Sequence, residues 1–238
     1  MTAPSVKRSS ACDALAPPGP GELHLWFCQR AAVAGSDAFL RGVLANYTRT
    51  DQGQLQLSRG AHGKPALAWP PLALDFNLSG SGDWLAIAVS DGAPVGIDIE
   101  YCDPARAVMR LARRFFRDSE VAQLQACAPA QRSDRFYDYW TLKEASIKAG
   151  GGALGLELET VGFELRYPQA TGSGNSIGSI IPLAPATGAW FGLMQPFADY
   201  RLALCCHAAR DFSAGVRLCD LRRSGYCAGH SLEIRAVS

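Results

Sequence analysis

The spacing of apolar and polar positions predicts short strands at both ends of the chain and helices in its middle. Residues 24–28 (HLWFC) predict a first strand. Ser36 reads as an N-cap for a helix over about 37–47. Residues 51–71 are turn-rich. Residues 74–79 predict a short strand that runs into the turn 80–83, and residues 84–89 predict a buried strand. Asp91-Gly92 is a turn signal, so residues 95–100 are expected to return as the second arm of a hairpin. Helices follow: one opened by Pro104 and reaching about Phe116, one capped by Asp118 and ending near Ala126, and a long amphipathic one over 131–149. Gly150-Gly151-Gly152 stops the last. Strands are expected again over 159–166, 189–196 and 200–207, with a Gly/Ser loop at 169–179. Strands and helices do not alternate regularly, so the pattern fits α+β better than a doubly wound sheet.

Composition narrows the function classes. Of 238 residues, 48% are hydrophobic and 19% charged, the balance of a globular chain rather than a disordered one. Lys plus Arg is 23 and Asp plus Glu is 22, which argues against a general nucleic-acid binder. No apolar run is long enough to cross a bilayer or to act as a secretory signal, so a cytoplasmic protein with no membrane partner is expected. The eight cysteines include no C-x-x-C pair and read as reduced thiols. The four histidines offer no zinc spacing.

The candidate chemistry lies in two segments. In Val95-Gly96-Ile97-Asp98-Ile99-Glu100, strand alternation puts the three branched residues on one face and Gly96, Asp98 and Glu100 on the other. Two carboxylates at i and i+2 suit a hard cation such as Mg²⁺, and Gly96 would leave room for a bulky ligand. An ordinary solvated acidic face fits that segment too; because the face reads as solvated, Asp98→Ala is expected to remove any chemistry carried there while sparing the fold. The second segment is the long helix. Phe136, Trp140 and Ile147 share a stripe into which Glu144 also falls, bracketed by Lys143 and Lys148. A metal, a held diphosphate or a plain i,i+4 ion pair would each account for that carboxylate.

Together the two segments resemble the signature of the Sfp-type 4′-phosphopantetheinyl transferases. That signature is a hydrophobic-Gly-hydrophobic-Asp-x-Glu strand, then a helix with Trp-(Ser/Thr/Cys)-x-Lys-Glu-(Ala/Ser), two hydrophobic positions and Lys. Here Trp140-Thr141-Leu142-Lys143-Glu144-Ala145-Ser146-Ile147-Lys148 supplies the helix, 42 residues after Asp98, with Ser146 in a usually apolar slot. Gly63-Lys64-Pro65, Phe76-Asn77-Leu78-Ser79, residues 113–120 (RRFFRDSE) and residues 189–206 are similar to further family elements. The likeness spans about 37–207.

The resemblance implies a pseudo-dimer of two similar α+β subdomains. A tail (1–21) precedes an N-terminal subdomain (22–92). A C-terminal subdomain (93–207) carries the metal site, and a peripheral arginine-rich segment (208–238) follows. It implies that coenzyme A, as co-substrate, gives its 4′-phosphopantetheine arm to a serine of an apo acyl or peptidyl carrier protein, releasing 3′,5′-ADP. Asp98, Glu100 and Glu144 would hold Mg²⁺ or Mn²⁺. Glu144 would act as base, and Lys148 would hold the diphosphate. Ser79, Lys64, Pro65 and Arg41 would help seat coenzyme A, and Lys143 would contact a coenzyme A phosphate or order Glu144. A monomer is expected.

One departure stands out. The family usually has a phosphate-contacting His after the Ser, where this chain has Gly80. Gly80→His should then tighten coenzyme A binding. Gly80 also keeps open a non-catalytic binder of coenzyme A or a carrier protein. An unrelated Mg²⁺-dependent phosphohydrolase and a purely structural α+β domain are further alternatives.

Overall fold

The computed structural model describes residues 7–8, 15–152, 157–166, 179–185, 188–207, 215–219 and 234–237. Its strands are β1 (Lys7–Arg8), β2 (Glu22–Gln29), β3 (Gln56–Arg59), β4 (Pro65–Trp69), β5 (Asp75–Ser81), β6 (Trp84–Ser90), β7 (Val95–Tyr101), β8 (Gly162–Arg166), β9 (Ser179–Leu183), β10 (Trp190–Met194), β11 (Tyr200–Cys206), β12 (Gly215–Cys219) and β13 (Ile234–Val237). Its helices are α1 (Ser36–Thr48), α2 (Val108–Phe115), α3 (Asp118–Ala126) and α4 (Arg132–Ala149). The expected strands and helices are found to within a few residues. The segment read as turn-rich contains the β3–β4 hairpin. Most of the expected 169–179 loop lies outside the described residues.

Two sheets pack face to face. The first has the order β1-β12-β2-β6-β5 and the second β13-β10-β11-β7. Alternation along the strands explains the layers. Leu23, Leu25 and Phe27 of β2 meet Val95, Ile97 and Ile99 of β7 and Leu202 and Leu204 of β11 in the core between the sheets. Trp26, Cys28, Phe76, Ile87 and Val89 point the other way, onto Phe39, Val43 and Leu44 of α1. On the far side, Ala203, Cys205, Phe191 and Leu193 meet Phe136, Leu142 and Ala145 of α4. The result is an α+β sandwich of two sheets, each with a helix on its outer face.

Three expectations change. β7 is not the return arm of a hairpin with β6. β6 has both edges filled, by β2 and β5, so β7 leaves at Gly92 (φ +102°) and joins the second sheet beside β11. The segment after 207 is not wholly peripheral. β12 lies in the first sheet, parallel to β2, with Val216 buried, and β13 pairs with β10. These two short runs carry too little periodicity to be read from sequence. The α1 N-cap is Gly35 rather than Ser36, with no side-chain cap.

β7 is an edge strand with a particular closure. Its outward N–H groups at Val95, Ile97, Ile99 and Tyr101 donate to the side chains of Asp75 (2.7 Å), Asn77 (3.0 Å), Ser79 (3.3 Å) and Ser81 (3.1 Å) on β5. Four alternate polar side chains thus stand in for a missing strand and satisfy an otherwise open edge. This seam joins the two halves, and the candidate site lies along it.

Candidate active site

α4 reaches the seam because of Gly96. A Cβ at this position would lie 2.0 Å from the Ala145 carbonyl oxygen and 2.5 Å from the Ala149 nitrogen. The glycine lets α4 lie with its backbone against β7; it does not open room for a ligand. That contact brings Glu144 and Lys148, one turn apart, over Asp98. It also buries Asp98 to 3% exposure, so Asp98 is not on a solvated face, while Glu100 stays half-buried.

The geometry centres on Lys148. Its Nζ donates to Asp98 Oδ1 at 2.5 Å and to Ser79 Oγ at 3.2 Å, and Ser79 donates to the same Oδ1 at 2.8 Å. Asp98 Oδ2 is buried without a hydrogen-bond partner. Glu100 is held by Ser81, whose Oγ donates to Oε2 at 2.9 Å. Burial pushes the Asp98 carboxyl above its ordinary value, against the pull of Lys148 and Ser79. Burial and then the Asp98 charge push Glu100 up as well. Glu144 is raised to about 7, first by burial and then by Asp98, with Lys148 offsetting part of it. Burial raises all three carboxyls, and the Asp98 charge adds to it at Glu100 and Glu144, so with one ammonium beside them the site gains from added positive charge.

Oxygen donors of this kind suit Mg²⁺ or Mn²⁺, and the orphaned Asp98 Oδ2 is a ligand atom in waiting. The fit is one of chemistry. Among the described residues no three His, Cys, Asp or Glu side chains are gathered closely enough to hold a metal ion by themselves.

A cavity of about 280 Å³ opens beside this centre, between the start of α1, the β3–β4 hairpin, β5 and the end of α4. Lys148, Lys64 and Pro65 line it, as do Arg59 and His62, which the sequence did not single out. Lys64 also has structural work, donating to Asp75 Oδ2 (2.7 Å) and to the Val95 carbonyl (2.9 Å). Ser79 stands in the Lys148 centre rather than on the cavity wall.

Two expected coenzyme A contacts face elsewhere. Lys143 is fully buried on the side of α4 away from Asp98 and pairs with the equally buried Glu120 at 2.7 Å. Its ammonium also donates to the carbonyls of Leu158 and Val161. Arg41 does not line the cavity. Its guanidinium is taken up by Asp37 and by the carbonyls of Gln52 and Leu55. In both cases a side chain's position along a helix does not say which neighbour claims its charge.

Other polar positions on α4 also turn into the interior. Asp138 lies 3.3 Å from Arg201 of β11. Ser146, in its usually apolar slot, hydrogen-bonds Cys205. Trp140 packs against Phe115, Phe116 and Phe136, as its stripe position implied. Gly80 has no room for a side chain, because a Cβ would lie 2.6 Å from Leu85 Cδ2 and 2.9 Å from Arg30 Nη2. The expectation that Gly80→His is a simple gain does not hold.

Residues 94–205 match a family model described as the 4'-phosphopantetheinyl transferase superfamily. The chain is 35% identical over 133 residues to 4'-phosphopantetheinyl transferase Sfp of Bacillus subtilis (strain 168), covering 56% of this chain and 57% of that protein. It is 35% identical over 128 residues to 4'-phosphopantetheinyl transferase HetI of Nostoc sp., covering 53% and 54%. With 4'-phosphopantetheinyl transferase AcpT of Escherichia coli (strain K12) it shares 44% identity over 94 residues, covering 40% and 48%. The chain thus spans about half the length of the curated relatives it matches. Among solved structures it is similar to Thermotoga maritima holo-[acyl-carrier-protein] synthase (AcpS), at TM-score 0.36 and 21% identity, over 50% of this chain and 64% of that one.

Proposed function

We propose, from the premise that residues 94–205 carry the pattern of the 4′-phosphopantetheinyl transferase superfamily, that this chain moves the phosphopantetheine arm of coenzyme A onto a serine of an apo carrier protein. The observation that carries this reading is the Lys148–Asp98–Ser79 centre with Glu144 beside it, at the mouth of a cavity lined by Lys64, Arg59 and Lys148. The serine oxygen forms a bond to the β-phosphorus. The bond from that phosphorus to the bridging oxygen breaks, and 3′,5′-ADP leaves. Glu144, held near neutrality, takes the serine proton directly or through one water. Lys148 binds the diphosphate and steadies the charge on the leaving group. Lys64 and Arg59 attract the nucleotide phosphates from the cavity wall.

Asp98 and Glu100, with Glu144 beside them, would hold Mg²⁺ or Mn²⁺, and such an ion would neutralise the diphosphate. Among the described residues no helix is long and apolar enough to cross a membrane. The reading places the protein in the cytoplasm, acting as a monomer.

The test is mass spectrometry of one acyl-type and one peptidyl-type apo carrier, each incubated with the protein, coenzyme A and Mg²⁺. A gain of one phosphopantetheine arm on either carrier is the expected result. No gain on either, with coenzyme A shown to bind, would make the protein a non-catalytic binder. Breakdown of coenzyme A without a carrier would make it a hydrolase.

A further inference from the structure

Gly80 sits in β5 with a backbone that any residue could adopt, since it is not among the glycines of positive φ. Conformation does not require a glycine there; the space above it does. Arg30, just past the end of β2, is pinned to the β5–β6 turn. Its N–H donates to the Asp83 carbonyl at 2.7 Å and its Nε to the Gly82 carbonyl at 3.0 Å. Those bonds lay the guanidinium over Gly80, with Nη2 2.9 Å from the position a Cβ would take. The residue is exposed, and its Nη1 and Nη2 make no hydrogen bond or ion pair among the described residues. A pre-oriented guanidinium with a free face is a phosphate or carboxylate receptor. Its place is specific, because Ser79, the next residue on β5, belongs to the Lys148–Asp98 centre. Arg30 therefore flanks that centre from the opposite face of the same strand.

We infer that Arg30 binds a phosphate of coenzyme A, its guanidinium filling the space that glycine at position 80 leaves open. The inference rests on the coenzyme A reading above. Coenzyme A has a diphosphate and a separate 3′-phosphate, so two cationic centres at one end of β5 can each take one. Removing a charge-assisted pair of this kind weakens binding on the order of tenfold. A methyl group at position 80 acts in the same direction by pushing the guanidinium aside.

The test is calorimetric titration of the full chain with coenzyme A and with dephospho-coenzyme A, using wild type, Arg30→Ala, Arg30→Lys and Gly80→Ala. Melting temperatures confirm that each variant is folded. Arg30→Ala is expected to raise Kd for coenzyme A about tenfold, with Arg30→Lys and Gly80→Ala in between. If dephospho-coenzyme A binds Arg30→Ala as tightly as wild type, the partner is the 3′-phosphate; equal weakening of both ligands assigns the diphosphate. A folded Arg30→Ala with wild-type affinity for both overturns the role of Arg30 and leaves the transferase reading standing. Wild-type protein that binds neither ligand overturns the reading beneath it.

Discussion

Asp98 and Lys143 show how the same cost of burying charge serves two ends. Asp98 is buried with one oxygen on Lys148 and the other orphaned. Lys143 is buried with its ammonium surrounded by Glu120 and two carbonyls. A satisfied pair is structural, whereas an unsatisfied oxygen remains available for chemistry. Asp98→Asn, which keeps the volume, is expected to abolish carrier modification. Because Lys148 then loses its counter-charge in a buried setting, it also costs roughly 1–3 kcal/mol of stability, read from denaturant unfolding. Full transfer activity in that variant would remove Asp98 from the site. Lys143→Met strands the Glu120 carboxylate and should cost about 3–5 kcal/mol. Adding Glu120→Gln should restore part of that loss while coenzyme A affinity stays within about twofold of wild type. A large loss of affinity in the restored double variant would place Lys143 at the nucleotide after all.

Single elements owe their position to small features of their neighbours. Gly96 sets the depth at which α4 rests on β7. Gly96→Ala drives a methyl into the Ala145 carbonyl and the Ala149 nitrogen, both backbone atoms that cannot rotate away. The overpacking cost should reach about 3 kcal/mol or more. Since the shift also lifts Lys148 from Asp98, transfer should fall further than the folded fraction does, measured by activity against circular dichroism on one sample. A folded variant with normal turnover would detach the Gly96 contact from the site. The β5 seam makes a milder case. Asn77→Ala leaves the buried Ile97 N–H without its acceptor and should cost roughly 1–3 kcal/mol. Asn77→Asp keeps an acceptor and should cost less.

At the scale of the whole molecule, the first sheet carries a pH-sensitive group far from the candidate chemistry. His24 is fully buried on β2, its Nδ1 2.9 Å from the Tyr47 hydroxyl, which also accepts from Trp26 Nε1. Burial lowers its pKa from 6.5 to about 4, with Glu22 acting in the opposite direction. Between those values the unfolded chain binds a proton that the folded chain refuses. Stability is therefore full above pH 6.5 and falls as pH drops towards 4, by on the order of 2–3 kcal/mol. Denaturant midpoints at pH 7.5 and 5 should differ more for wild type than for His24→Gln. Equal differences would mean that other groups carry the acid sensitivity.

The sequence by itself determined whatever depends on local spacing. Alternation in Val95–Tyr101 marked a strand with Asp98 and Glu100 on one face, and the helical register of residues 140–148 grouped Glu144 with Lys148. Those intervals are set by backbone geometry, so they were legible. The polar positions Asp75, Asn77, Ser79 and Ser81 recur with a period of two, but it took the fold to show that β7 is the strand they serve. Only the tertiary structure decided which neighbours met. It sent β7 to β11 because β6 had no free edge, gave Lys143 to Glu120, and used Gly96 for a helix rather than a ligand. It also laid Arg30 over Gly80, 50 residues away along the chain. Contacts at such separations depend on packing many elements at once, and no short window of sequence contains both partners.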